Sequence, residues 1–152
     1  MTRRVLSLSL SVAFAALGSA IGCNSGAVAT QECREIEYAR CDASVACGTI
    51  DDAAACRRFY STHCLHGISG PEKPTADEQT RCVEAIETAG KCAKKDDSTP
   101  LADCKDLPTK LIAGAERMKD VCDVVGRPWD LMACDYLNRE PDDGSGGEGG
   151  SE

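Results

Sequence analysis

The eleven cysteines in this chain of 152 residues are the side chains best equipped for chemistry. A thiol can ligate a metal, attack as a thiolate, take up a lipid or pair as a disulfide, and spacing separates these fates. No two cysteines here stand in C-x-x-C, the spacing that zinc ribbons, thioredoxin-like redox sites and c-type haem attachment need. Ten of them, Cys33, Cys41, Cys47, Cys56, Cys64, Cys82, Cys92, Cys104, Cys122 and Cys134, are expected to form five structural bridges. His63 and His66 are the only histidines, and their i, i+3 spacing could share a metal. Two ligands do not make a site, and Cys64 between them is expected to be oxidised, so the pair reads as the basic end of a helix. The chain has no G-x-S-x-G elbow, phosphate-cradling loop or S-x-x-K motif. The neighbouring acids Asp51-Asp52, Asp96-Asp97 and Asp142-Asp143 fall at a helix cap, a loop and a tail. No catalytic residue, metal or cofactor is therefore expected, and the chain is not read as an enzyme.

Cys23 makes the cysteine count odd, and an odd thiol in an exported protein needs an explanation. Ahead of it stand a basic pair, Arg3-Arg4, an uncharged apolar run from Val5 to Leu17, and the small-residue stretch Gly18-Ser19-Ala20-Ile21-Gly22. Basic, apolar, small is the order of an export signal. The apolar run is shorter than the roughly 18 residues a permanent membrane helix requires. Ile21-Gly22-Cys23 resembles the lipobox of bacterial lipoproteins, with Ala20 where leucine is usual. That resemblance implies that residues 1–22 are a lipoprotein signal peptide and that Cys23 is acylated as the first residue of the mature protein. Residues 23–30 are then a short linker. One acyl chain holds a protein only marginally, whereas the several that lipoproteins carry hold it durably. Asn24 favours the outer membrane, by likeness to the sorting rule in which aspartate at that place retains a lipoprotein in the inner one. The competing reading is an ordinary signal peptide that leaves Cys23 as a spare thiol. Lipidation is preferred because it leaves an even ten.

The elements that must position the ten cysteines read as helices, since no stretch sustains an apolar-polar alternation. Thr75-Ala76-Asp77-Glu78 is a capping-box pattern, followed by Cys82, Ile86, Ala89 and Ala93 on one face, which predicts a helix from about Ala76 to Lys94. Leu111, Ala115, Met118, Cys122 and Val125 repeat that spacing between Pro108 and Gly126 and predict a second. Gln31 to Ala46 and Asp52 to Leu65 predict a hairpin of two shorter helices, the latter capped by Asp51 or Asp52 and stopped at Gly67. A last short helix starts near Pro128 and carries Leu131, Cys134 and Leu137. Ser69 to Pro74 is a loop.

The hairpin holds a register signal. Cys33-x7-Cys41 and Cys56-x7-Cys64 share one internal spacing, and Cys33 with Cys64 has the same index sum as Cys41 with Cys56. Antiparallel helices on a short turn pair positions of constant sum, so both bridges fit one register. Residues eight apart lie about 80° apart in projection, which lets both cysteines face the partner helix. Pairing Cys47 with Cys56 and Cys41 with Cys64 fits almost as well, because those sums differ by only two. The remaining cysteines cannot be assigned from spacing.

Charge and core size narrow the function. Residues 1–22 hold two of the 17 basic residues and none of the 25 acidic ones, so their removal takes the formal charge from −8 to −10. Such a surface argues against nucleic acid and anionic lipid as ligands. Beyond residue 22 the aromatics are only Tyr38, Phe59, Tyr60, Trp129 and Tyr136, and a core made largely of alanine and cysteine is thin. Thin exported domains are commonly stapled, each disulfide contributing about 2–4 kcal/mol. Residues 31–140 are thus read as one all-α, disulfide-stapled domain of about five helices. Residues 141–152, acidic and rich in glycine and serine, read as a disordered tail.

From Cys33 to Cys104 the chain resembles a group of cysteine-rich lipoproteins and secreted proteins common in myxobacteria. The resemblance rests on Cys41-Asp42-Ala43-Ser44-Val45-Ala46-Cys47, on Ala55-Cys56 with Cys64 eight on, on Cys82 with Cys92 ten on, and on Leu101-Ala102-Asp103-Cys104. It implies no activity. The function expected is therefore a lipid-anchored structural or protein-interaction module of the cell envelope, attached to the membrane through its N-terminal lipid and facing an unknown protein partner. Trp129 and Tyr136 are either contact residues or core, the core reading being the stronger. The alternative is a carrier of a small ligand or lipid, for which large apolar residues are few.

Overall fold

The computed structural model describes residues 29–68, 73–95, 98–115 and 117–138; Cys23, the signal and linker ahead of Ala29, most of the loop after Ile68 and the C-terminal tail lie outside them. The described chain is all-helical and stapled. It contains α1 (Thr30–Ala46), α2 (Ala53–His63), α3 (Ala76–Cys92) and α4 (Val121–Gly126), with 3-10 turns at Cys64–His66, Leu101–Asp103, Pro128–Asp130 and Met132–Asn138.

Local chemistry starts these helices where the sequence indicated. Thr75 Oγ1 accepts from the Glu78 backbone N–H while the Glu78 carboxylate accepts from the Thr75 N–H, so the capping box is complete and α3 begins at Ala76. Asp52, and not Asp51, caps α2 by accepting from the Ala55 N–H at 3.0 Å. That bond holds the Asp52 carboxyl below the usual carboxylate range.

One expected helix is largely absent. Of the stretch from Leu111 to Val125 only the last few residues join a helix, α4. Gly114 sits at φ 90°, outside the helical region, and breaks the run. Its flanks give their backbone groups to other segments: Ile112 N–H donates to the Asp130 carbonyl and Met132 N–H to that of Lys110, while Leu101 N–H donates to Lys119 and Val121 N–H to Thr99. The helix begins only at Asp120, which forms its own capping box with Asp123. The Asp123 carboxyl is half-buried, which pushes its pKa upward, yet the Lys119 and Asp120 N–H groups and the Arg127 charge together hold it below the ordinary range. Ala115, Met118 and Val125 are nonetheless buried, so the spacing marked burial correctly and conformation wrongly. The expected last helix is two 3-10 turns instead, in keeping with the three-residue spacing of Leu131, Cys134 and Leu137.

The core lies between α1 and α3 and is closed by α4 and the C-terminal turns. Ile36, Ala39 and Ala43 face Ala85, Ile86 and Ala89, with Val121, Val124, Leu131 and Tyr136 completing it. Small side chains let the two long helices come close: a Cβ on Gly90 would stand 2.7 Å from Ala43 Cβ. Arg40 of α1 reaches α4, donating from Nε to the Val125 carbonyl at 2.9 Å and from Nη2 to that of Gly126 at 3.2 Å. It thereby satisfies carbonyls that the short helix leaves open.

Candidate interaction surfaces

All ten cysteines are paired. Cys33 joins Cys64 and Cys41 joins Cys56, with Cα separations of 5.6 and 5.7 Å, which is the equal-sum scheme. The competing local scheme fails because Cys47 reaches across to Cys122. Cys82 pairs with Cys134 and Cys92 with Cys104. Every α-helix is thus covalently joined to another segment, and α1 with the residue that ends it carries three bridges. A chain so bridged belongs in an oxidising compartment outside the cytoplasm.

The bridges do unequal work. Cys82 and Cys134 are fully buried among apolar neighbours, so that bridge reinforces packing already present. Helix α2 is the opposite case, since none of its residues is buried. Two disulfides, one at Cys56 and one at Cys64 just past its end, hold it against α1, helped by the Arg57–Asp42 ion pair and a bond from Arg34 Nη2 to the Ser61 carbonyl. What α2 and the turn after it leave in solvent includes two large apolar side chains beside Arg57 and Arg58. Phe59 is 61% exposed and Leu65 51% exposed. Phe59 packs edge-on against Tyr60 at 5.0 Å between centroids and stacks on His63 at 5.4 Å, and His63 meets His66 at 6.4 Å. The two histidines therefore belong to an aromatic ledge, and among the described residues no group of three potential ligands gathers around them.

Comparison with family models, with curated proteins and with solved structures returns no match.

A second surface follows the seam between α1 and α3. A groove of about 410 Å³ is lined by the buried or half-buried Tyr38, Ala39, Gln79 and Val83 and by the exposed Glu35, Asp42, Thr80, Glu84 and Glu87. It continues past Ala43 and Gly90 at one end and past Glu32 and Lys73 at the other. Lys73 hydrogen-bonds Glu32 at 2.6 Å and holds that carboxyl below its ordinary value.

Of the two aromatics raised as contact residues, Tyr136 is not free to serve. Tyr136 is buried, its hydroxyl donating to Gln79 Oε1 at 3.0 Å, and burial together with the surrounding carboxylates pushes its pKa far up. Gln79 in turn donates to the Glu32 carbonyl at 3.0 Å, tying α3 to α1. Trp129 is half-buried with the Arg40 guanidinium 5.8 Å from its ring. Sequence reasoning overlooked Phe59 and Leu65. The signal was available: between Ala53 and His63 there is no Ile, Val, Leu or Met, so beyond its cysteine that helix has no aliphatic face to bury.

Proposed function

We propose that this chain is a lipid-anchored module of the bacterial cell envelope that holds a fixed helical surface for a protein partner, with Cys23 carrying the lipid. The observation that supports it best is the groove along α1 and α3, where Tyr38, Ala39 and Val83 lie between the exposed carboxylates Glu35, Asp42, Glu84 and Glu87 on helices held in place by disulfides. Under this reading the outer membrane is the anchoring membrane, and the kinship is with the cysteine-rich lipoproteins and secreted proteins of myxobacteria.

The groove along α1 and α3 is the surface offered to the partner. Apart from Gln79 its buried lining is apolar and aromatic, and its exposed edge carries four carboxylates, a pattern suited to a partner segment with cationic side chains around an apolar one. A photocrosslinking residue at position 83, on the groove, is compared with one at position 103, on the exposed turn Leu101–Asp103, in the native envelope. A discrete adduct at 83 and none at 103 supports the reading; equal labelling at both sites contradicts it. A stoichiometric uptake of an apolar dye by the purified protein would instead favour the carrier.

A further inference from the structure

We propose that the exposed face of α2 and the turn after it, Phe59, His63, Leu65 and His66, rests on the bilayer surface, so that the lipid and this ledge together fix the domain's orientation. This rests on the lipidation of Cys23 proposed above.

Tether length is the first argument. The chain from Cys23 to Ala29 reaches at most about 20 Å at roughly 3.3–3.6 Å per residue, and a folded unit of about this size is roughly 30 Å across. The end of the domain where α1 begins must therefore stay near the membrane. Cys33 lies one turn into α1 and is bridged to Cys64, with Cα atoms 5.6 Å apart. That bridge carries Leu65 and His66 to the same end, and Phe59 follows within two helical turns of Cys64.

Composition is the second argument. The net charge of the protein opposes adsorption to an anionic bilayer, but the charge is unevenly placed. The segment from Ala53 to His66 contains Arg57, Arg58, His63 and His66 and no carboxylate, whereas α1, α3 and α4 each carry acids. Arg57 is paired with Asp42 and Arg58 more loosely with Asp52 at 3.9 Å, which leaves the Arg58 side chain 72% exposed. Exposed phenylalanine and leucine beside arginine and histidine is the composition of a surface-seeking helix, whose apolar side chains enter the headgroup boundary while the cations stay among phosphates.

The test uses the mature, full-length protein carrying Phe59→Trp, a change at a solvent-exposed position, reconstituted in phosphatidylcholine vesicles with or without bromine on the acyl chains. The wild type in the same vesicles reports Trp129 alone. A loss of emission in brominated vesicles that F59W shows and wild type does not is the expected result. Equal behaviour of the two, in protein whose acylation has been verified by mass, overturns the docking of α2 and leaves the anchor standing, as would be seen if this ledge faced a protein. Protein that carries no acyl chain and does not float with the vesicles overturns both.

Discussion

Gly90 of α3 lies against Ala43 of α1 so closely that a methyl group on it would come within 2.7 Å of the Ala43 Cβ and 2.9 Å of its Cα. Two opposing effects can be weighed there. Alanine in place of glycine inside a helix is worth about 1 kcal/mol in its favour, whereas overpacking a tight core contact costs typically about 1–3 kcal/mol. The nearest obstacle includes backbone, which cannot turn aside, so the second effect wins. Gly90→Ala is predicted to lower stability by up to about 2 kcal/mol in urea unfolding; a gain would show that the helices stand further apart.

Tyr136 and Gln79 form the buried polar link between the C-terminal turns and α3. Tyr136→Phe removes the donor and leaves the buried Gln79 Oε1 without it, a loss of about 1–3 kcal/mol. Because the Tyr136 pKa lies far above its usual value, the folded protein resists ionising this phenol. Tyrosinate absorbance on raising pH should accordingly show one residue that titrates only when the protein unfolds.

Helix α2 should depend on its bridges as the other helices do not. Replacing Cys33, Cys41, Cys56 and Cys64 by serine leaves nothing buried to hold α2, so its amides should exchange as in an unstructured chain while those of α3 stay protected. Replacing Cys82 and Cys134 removes a fully buried bridge and should cost about 2–5 kcal/mol of global stability. Uniform protection loss in both variants would contradict this division.

Acid should weaken two helix caps and the Glu32–Lys73 pair. Asp52, Asp123 and Glu32 all have folded-state pKa values below their ordinary ones, so their contribution is present at neutral pH and is lost as the pH falls through the carboxylate range. The melting temperature should be level near neutrality and fall between about pH 5 and pH 2. The Asp123→Asn variant should show a shallower fall, since its group no longer titrates.

How far the sequence could be read depended on how local the cause was. Thr75 and Glu78 fix the start of α3 within four residues, and the equal spacing of the hairpin cysteines encodes a register, so both were legible. The segment from Leu111 to Val125 misled because burial at helical spacing does not require a helix: Gly114 and hydrogen bonds to residues near Thr99 and Asp130 decide its path, and those partners are distant in sequence. The Cys47–Cys122 and Cys82–Cys134 bridges span 75 and 52 residues, and no short turn relates their ends. The exposure of Phe59 was legible in principle, from the lack of any aliphatic face on its helix.

The central claim is that Cys23 carries the lipid while the other ten cysteines are all oxidised, as the five bridges require. Intact mass of the membrane-extracted protein, taken without reduction, reads both at once. The account predicts a mature chain beginning at Cys23, heavier by its acyl chains and lighter by ten hydrogens than the reduced form. An unmodified N-terminus, or thiols that react with an alkylating reagent before reduction, would contradict it.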